Sequence, residues 1–361
     1  MSEWKEYKFS DFVNINPSIK LPKDNPISFV EMKNLDSSLR YCESEQTKIL
    51  SGGSRFMNGD TLFARITPCL ENGKICQVRN LQDGIGFGST EFHVFRGVEG
   101  ISDTNFVYYL ARYEEVRSYA ENNMEGSSGR QRVPKEAFDN LLISLPPLSE
   151  QKRIVSILSS LDDKIDLLHR ENKTLEAMAE TLFRQWFIEE AKEDWKEGKL
   201  GDLIDVKYGK EHKKLLDGKI PVLGSGGIMR YADTALYDKE SVLIPRKGSL
   251  NNVMYINEPF WTVDTMFYTE MRQLNVAKFV YHFMKNQDLA NMNVGSAVPS
   301  MTVEVLNNIP IDIPPQNIFD KFEGAVSLLY SKKEHNNKQI QTLIQQRDSL
   351  LPKLISGEIK V

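Results

Sequence analysis

Two long stretches of the chain place apolar residues at alternating intervals of four and three positions. This is the a/d spacing of a helix that pairs lengthwise with another helix. The first seam consists of Ile154, Leu158, Leu161, Ile165, Leu168, Asn172, Leu175, Ala179, Leu182 and Trp186. The second seam, which is polar at three positions, consists of Phe319, Phe322, Val326, Leu329, Lys333, Asn336, Ile340, Leu343, Arg347, Leu350 and Leu354. We expect Ser149 and Asn317 to be the N-caps of these helices, and Pro352 to kink or end the second about one residue earlier.

The order of the segments predicts that the two helices pair with each other. The first leads out of an N-terminal module and the second runs back from a C-terminal one, so the pair is antiparallel. Antiparallel pairing brings Asn172 close to Asn336, a polar contact suited to fixing the register. The alternative is that each helix packs only on its own module.

Outside the helices, short runs rich in β-branched and aromatic residues alternate with Gly, Asn, Asp and Pro, which predicts strands joined by turns. Predicted strands include Asp60–Ile66, Lys74–Val78, Glu91–Phe95, Ser241–Ile244 and Phe260–Tyr268. Short helices are predicted at Phe106–Ala120 and Val276–Lys285. The expected fold class is α+β, with two β-rich globular domains separated by two long helices that form an antiparallel coiled coil.

The chain repeats its landmarks in the same order. Trp4-Lys5-Glu6 returns as Trp195-Lys196-Glu197 at an offset of 191, Thr61–Arg65 returns as Val242–Arg246 at 181, and Leu145-Pro146-Pro147 returns as Ile313-Pro314-Pro315 at 168. A falling offset indicates two copies of one module with loops shortened in the second, related by a pseudo-two-fold axis. The predicted domains are 1–147 and 195–315, with helical segments at 148–194 and 316–361, and the expected shape is a dumbbell.

Composition narrows the possible functions. The formal net charge is −5, so a nucleic-acid-binding face would be a local cluster, of which the sharpest is Lys207, Lys210, Lys213, Lys214 and Lys219. There is no apolar run of membrane-spanning length and no signal peptide is expected. Cys42, Cys69 and Cys76 suit a reduced cytoplasm and argue against a disulfide framework or a zinc site.

No set of residues predicts a catalytic site, a metal site or a cofactor site. Gly84, Gly86 and Gly88 lack the acidic residue that follows a dinucleotide-binding glycine run. The five histidines are scattered without metal-ligand spacing. The sequence therefore favours a binding protein over an enzyme.

Several motifs together resemble the specificity subunits of type I restriction-modification systems. In the helical regions they are Leu145–Ile154 (LPPLSEQKRI), Leu161–Ile165, Leu182–Phe187 and Leu350–Lys360. In the modules they are Gly59–Pro68 with Glu71–Lys74, Gly86–Phe92, and Ile244–Ser249 with Pro259–Thr265. The resemblance covers the whole chain.

The resemblance implies that each module reads one half of a bipartite, asymmetric target in double-stranded DNA. It implies that the helices set the unread gap and dock two adenine-specific methyltransferase (modification) subunits, to which an ATP-dependent restriction subunit is added. S-adenosylmethionine, ATP and Mg would then belong to those partners, with no cofactor in this chain.

Lys, Arg and Ser at glycine-rich turns suit phosphate contacts, and Arg, Asn, Gln and Lys on loops suit base contacts. The DNA-binding candidates are Arg65, Ser89, Ser127, Arg130, Gln131 and Arg132 in the first module, and Lys207, Tyr208, Lys210, Ser225, Arg246, Lys247, Asn251 and Ser296 in the second. Two other readings remain open: a methyltransferase with fused recognition domains, and a coiled-coil scaffold whose modules bind proteins.

Overall fold

The computed structural model describes residues 4–292 and 300–361. They form two compact units. Unit 1 comprises Met1–Asn172 and His335–Val361, and unit 2 comprises Lys173–Glu334. Each unit therefore contains one β-rich module and one half of each long helix. In the described ranges, no helix is long and apolar enough to cross a membrane.

The long helices are α4 and α7. The helices are α1 (Phe9–Phe12), α2 (Thr104–Arg112), α3 (Glu114–Asn122), α4 (Leu148–Arg184), α5 (Ala277–Lys285), α6 (Val303–Asn307) and α7 (Gln316–Ile355), and one π-helical turn, Gln185–Glu189, extends α4. Short 3-10 turns lie at Met32–Asn34, Gln82–Gly84, Lys135–Asn140 and Leu200–Asp202.

Unit 1 holds three sheets. Its strands are β1 (Lys5–Lys8), β2 (Val13–Ile15), β3 (Ile27–Val30), β4 (Tyr41–Cys42), β5 (Gln46–Lys48), β6 (Ser54–Met57), β7 (Thr61–Ala64), β8 (Ile75–Val78), β9 (Ile85–Gly88), β10 (Phe92–Gly97) and β11 (Leu142–Leu145). The larger sheet has the order β2-β10-β7-β8-β4, the smaller β5-β3-β9-β6, and β1 pairs with β11.

In its described residues, unit 2 repeats this plan with fewer strands. They are β12 (Lys196–Lys199), β13 (Ile204–Tyr208), β14 (Asp217–Gly224), β15 (Gly227–Ala232), β16 (Ser241–Pro245), β17 (Met254–Ile256), β18 (Trp261–Thr262), β19 (Met266–Met271) and β20 (Pro310–Ile313). The larger sheet has the order β13-β19-β16-β17, the smaller β15-β14-β18, and β12 pairs with β20.

The repeat predicted from the sequence is therefore a repeat of topology. The closing pair β1–β11 aligns Lys5 with Leu145, and β12–β20 aligns Lys196 with Ile313. Each of these residues occupies the same place in its copy of the repeat. The fold class is confirmed: both modules are β-rich with peripheral helices.

The halves of α4 and α7 in unit 1 run antiparallel. Asn336 Nδ2 donates to Asn172 Oδ1 at 3.0 Å, and Arg347 Nη1 donates to Asp162 Oδ1 at 2.9 Å. One residue number rises as its partner falls, as antiparallel helices require. The predicted Asn172–Asn336 contact is present, and Ile165, Leu168 and Ile340 form an apolar cluster beside it.

The halves in unit 2 also run antiparallel. Lys333 Nζ donates to the carboxylate of Glu176 at 2.9 Å. Further along α4, Phe183 packs against Phe322, which lies nearer to the start of α7. No position of either predicted seam is exposed in its unit: each is buried or half-buried. The polar seam residues are accommodated by partners, with Lys333 on Glu176, Asn336 on Asn172 and Arg347 on Asp162. The alternative that each helix packs only on its own module is wrong.

Both expected N-caps are wrong. The helices α4 and α7 begin at Leu148 and Gln316, so Ser149 and Asn317 lie inside the first turn. The carbonyl of Pro147 accepts the amides of Glu150 and Gln151 at 2.9 and 3.0 Å, which opens α4 without a side-chain cap.

Of the two outcomes expected at Pro352, a kink or an end, the end is wrong, because α7 continues to Ile355. Leu351, Leu354 and Ile355 pack into the main core of unit 1. Burial of these side chains stabilises one more turn past the proline, which removes only a single backbone donor.

Two predicted elements are split. Phe106–Ala120 is broken at Tyr113, whose backbone is extended, and α3 starts afresh with Glu114 and Glu115, acids suited to a helix N-terminus. Phe260–Tyr268 is divided into β18 and β19, which belong to different sheets of unit 2. Aromatic and β-branched content alone did not reveal either break.

Candidate nucleic-acid interface

Arg65 lies directly after β7, the central strand of the larger sheet in unit 1. Its amide donates to the carbonyl of Glu91 at 3.0 Å, and its carbonyl accepts the amide of Val133 at 2.9 Å. The next residue, Ile66, forms an antiparallel bridge with Arg132. The end of β7 thus binds both the residues before β10 and the loop that ends at Arg132.

Arg246 occupies the same place in unit 2. Its amide donates to the carbonyl of Thr265 at 2.8 Å, and its carbonyl accepts the amide of Met301 at 2.9 Å. The next residue, Lys247, forms an antiparallel bridge with Ser300. The two arginines therefore share a backbone environment as well as a place in the repeat.

Their side chains have different surroundings. The guanidinium carbon of Arg246 lies 5.3 Å from the ring centroid of Tyr208, and its Nη1 donates to the carbonyl of Asp264 at 3.1 Å. The Nε of Arg65 is buried with no hydrogen-bond partner in the described part of unit 1. One donor of the half-buried Arg65 guanidinium is therefore unused within unit 1.

Arg132 is held in a fork by Glu91, because its Nε and Nη2 both donate to the carboxylate at 2.7–3.0 Å. The Glu91 carboxylate raises the pKa of Arg132. The ion pair offsets the charge of Arg132, so this residue braces the loop as well as facing solvent.

The loop before Arg132 is anchored at its base and exposed at its tip. Glu125 and Arg132 pair through both backbone hydrogen bonds, at 2.8 and 2.9 Å. Ser127 and Arg130 are exposed at the tip, where Gly126 and Gly129 have positive φ angles. Two further candidates serve the backbone nearby: the amide of Gln131 donates to Thr67 Oγ1, and Ser89 Oγ accepts the amide of Glu91.

In unit 2 three candidates lie at the end of β13 or just after it. Tyr208 is 54% exposed, and its ring contacts Phe267 edge-on. Lys207 lies 3.8 Å from Glu270 at the surface, a weak contact in water. Lys210 is exposed, and its carbonyl accepts the indole Nε1 of Trp261 at 3.0 Å.

The remaining candidates lie on two adjoining turns. Ser225 is in the turn between β14 and β15, and its carbonyl accepts Asn252 Nδ2 at 2.8 Å. Asn251 and Lys247 are exposed on the facing loop. Ser296 lies outside the described residues. Sequence reasoning missed Asn252 and Trp261, which position candidates without being charged, and the exposed strand β15.

No group of three or more His, Cys, Asp or Glu residues that suits a metal ion occurs within residues 4–292 and 300–361. Each unit does contain one buried histidine. Burial lowers the pKa of His93 and of His282 to about 4. His93 Nε2 is 2.9 Å from the carbonyl of Val133, and His282 Nε2 is 2.9 Å from the hydroxyl of Tyr330.

A family model described as "Type I restriction modification DNA specificity domain" matches residues 1–177 and 192–349. The chain belongs to this family. Each of the two matched segments contains one β-rich module, and together they cover most of both long helices. The specificity-domain family thus accounts for the repeat as two copies of its domain.

Curated relatives carry the same kind of name. The EcoEI specificity subunit of Escherichia coli is 32% identical over 205 residues, which are 53% of this chain and 34% of that protein. The MjaIX specificity subunit of Methanocaldococcus jannaschii is 26% identical over 301 residues, 72% of this chain and 69% of that one. The alignments with the EcoEI and EcoAI subunits of E. coli span only 34% and 35% of those relatives' length.

The fold is also found in a solved structure. The type I restriction-modification S subunit from M. genitalium matches 98% of this chain and 96% of its own, with a TM-score of 0.57 and 18% identity. At this identity the match establishes a specificity-subunit fold.

Proposed function

We propose that this chain gives a type I restriction-modification complex its DNA specificity, each module reading one half of a bipartite, asymmetric target. The observation that carries the proposal is the repeated placement of Arg65 and Arg246. Arg65 follows the middle strand of the five in its larger sheet, and Arg246 follows one of the two inner strands of the four in its own. Both are bound by the same backbone hydrogen bonds. Arginine is the commonest side chain in specific contacts to guanine edges.

The surroundings of the two arginines support different half-sites. Arg246 stands beside an exposed tyrosine and is followed by the exposed Lys247, whereas Arg65 stands beside the Arg132–Glu91 pair. Two surfaces with different side chains read different sequences, because base discrimination depends on the donors, acceptors and apolar groups presented.

The chemistry belongs, in this proposal, to partner subunits. Two adenine-specific methyltransferase subunits would flip and methylate the target base with S-adenosylmethionine, and a restriction subunit would supply ATP- and Mg-dependent cleavage. The family membership of the chain supports this division of labour. The helices α4 and α7 would dock the methyltransferases and set the unread gap.

The test is a methylation profile of duplex libraries treated with the chain and its methyltransferase partner. We expect enrichment of a split motif with two unlike halves and a constant gap. Enrichment of no sequence by an intact complex would favour the protein-binding scaffold. Binding of S-adenosylmethionine by the chain alone would favour the fused methyltransferase.

A second experiment tests the helices. Removing seven residues from α4 and seven from α7 preserves both seams. We expect a shorter gap with both half-site sequences unchanged. An unchanged gap in an active complex would remove the helices from the measurement.

A further inference from the structure

The smaller sheet of unit 2 presents an unusual concentration of exposed apolar side chains. Ile228, Met229 and Tyr231, all on β15, are 56%, 57% and 47% exposed. Leu216, just before β14, is 71% exposed. The strand β15 lies at the edge of its sheet, with β14 at the centre. Side chains in this position usually gain stability by burial, so the surface is suited to a partner.

The hairpin adjoins the residues already assigned to DNA. Its turn is bound to the loop after Arg246 through the Asn252–Ser225 hydrogen bond of 2.8 Å. Its other end is bound through Arg230, whose Nη2 donates to the carbonyl of Leu215 at 3.1 Å and to Asp217 at 2.6 Å. These hydrogen bonds place the hairpin next to the loop after Arg246 at its turn and next to the end of the lysine-rich segment through Arg230.

Charge identifies the class of partner. Lys210, Lys213, Lys214 and Lys219 are exposed, and none of the four has a carboxylate partner in the part of the chain that the structure describes. The nearby acids are engaged elsewhere. Glu211 accepts the amides of His212 and Lys213, and these hydrogen bonds lower its pKa; Asp217 pairs with Arg230. The exposed side chains of Ile228, Met229 and Tyr231 form an apolar strip. An apolar strip next to lysines that have no ion-pair partner is suited to a polyanion that also presents apolar groups.

We propose that the β14–β15 hairpin enters the major groove of the half-site read by unit 2, with Ile228 and Met229 against thymine methyl groups. The major groove, about 12 Å wide, admits a pair of β-strands, here the edge strand β15 with β14 behind it, and the thymine methyl is the groove's one apolar feature. The flanking lysines bind phosphates and carry no sequence information. The inference rests on the proposed function. It adds which structural element reads one half-site and which feature of the bases that element contacts.

The test uses the reconstituted complex with methyltransferase and the split target found for the wild type. Thymines in each half-site are replaced in turn by deoxyuridine, which removes only the methyl group. We expect about a fourfold loss of methylation rate per contacted methyl, in one half-site only. The variant Met229→Ala with Ile228→Ala should lose about tenfold on the natural target and become insensitive to deoxyuridine.

A matched control is Leu274→Ala, because Leu274 is an 81% exposed apolar residue of unit 2 outside the hairpin. Its rate and deoxyuridine sensitivity should equal those of the wild type. The proposal is overturned if the double variant keeps full sensitivity, or if it loses methyltransferase binding instead, which would make the strip a protein-docking surface. Absence of any split motif in the wild type would instead refute the proposed function.

A second pair of variants separates the lysines from the strip. Lys213→Ala with Lys214→Ala should weaken binding to all duplexes alike and lower the salt dependence of the affinity, because each phosphate contact releases counterions. A changed base preference in this pair, with the strip variants unaffected, would contradict the assigned roles.

Discussion

The larger sheets of the two units are nearly the same, whereas the smaller sheets differ. In unit 1 the chain passes from β3 of the smaller sheet to β4 of the larger sheet, and then returns to the smaller sheet as β5. In unit 2 it turns directly from β14 into β15, both in the smaller sheet. This one shortening removes an edge strand from the larger sheet and creates a tight hairpin in the smaller. It falls within the stretch where the repeat offset drops from 191 to 181. The two units therefore differ mainly in the smaller sheet, whereas the strand that precedes Arg65 or Arg246 is present in both.

The polar contacts between module and helices show a second difference. In unit 1, Arg347 and Asp162 are both about 1% exposed, and the hydroxyl of Tyr109 donates to the same carboxylate at 2.7 Å. In unit 2, Lys278 has two carboxylates, Glu240 at 3.0 Å and Glu323 at 2.6 Å. Arg347 Nε also binds Asp348 at 2.9 Å, so each cation has two carboxylates. The difference is burial: Asp162 is fully buried, whereas Glu240 and Glu323 are 29% and 21% exposed.

The largest expected effect follows from this difference. Asp162→Ala should destabilise unit 1 by about 3–5 kcal/mol, because it removes the fully buried carboxylate that pairs with Arg347 and leaves the buried hydroxyl of Tyr109 without its acceptor. Glu323→Gln should cost unit 2 only about 1–2 kcal/mol, because Lys278 keeps Glu240. Denaturant unfolding followed by amide hydrogen exchange in the two halves of α7 measures both. Asp162→Leu with Arg347→Met should recover most of the loss, and equal losses in the two single variants would contradict the comparison.

The buried histidines should make both units sensitive to acid. The folded-state pKa of about 4 lies below the usual value of 6.5 for His93 and for His282. Between these values the unfolded chain binds a proton that the folded chain does not, so stability is full above pH 6.5 and falls as the pH drops towards 4. The loss is about 3 kcal/mol per histidine. His93→Gln should flatten this dependence in unit 1 alone, as measured by unfolding at pH 4.5 and 7; an unchanged slope there would contradict the assignment.

The smallest effect concerns the two arginines. Arg246→Ala should weaken methylation of the cognate target by about 1–3 kcal/mol, or ~5- to 150-fold, and relax preference at one position of one half-site. Arg65→Ala should do the same in the other half-site. Methylation rates on single-substitution target libraries measure both, with complex assembly as the control. Unchanged rates in an intact complex would remove the residue from the interface.

Much of the fold was predictable, because the spacing of apolar residues along a helix indicates which of its faces is buried. The seam positions of α4 and α7 are buried or half-buried, and Asn172 meets Asn336, since a 4-3 spacing admits one face only. The ends of the helices were not predictable from the sequence. The first amides of α4 bind the carbonyl of Pro147, and the turn of α7 after Pro352 is stabilised by packing in the core of unit 1. Those are tertiary effects that no local signal carries.

The candidate site was predictable only in part. The repeat located Arg65 and Arg246, because the same residue at the same strand end marks a common position. It did not show that Arg132 is paired with Glu91, which lies 41 residues away in the chain. Nor did it reveal Met229, since an apolar residue in a strand pattern ordinarily predicts the core.

The way each unit is assembled from the chain has a consequence for synthesis. Unit 2 is one continuous segment, Lys173–Glu334, whereas unit 1 needs His335–Val361 to complete its helix pair. At ~5–20 residues per second a ribosome takes on the order of 10–30 s to make the intervening segment. Throughout that interval the apolar face of nascent α4 around Ile165 and Leu168 lacks its partner Ile340. The module made first is therefore the one finished last, and during translation it is the unit most in need of protection from aggregation.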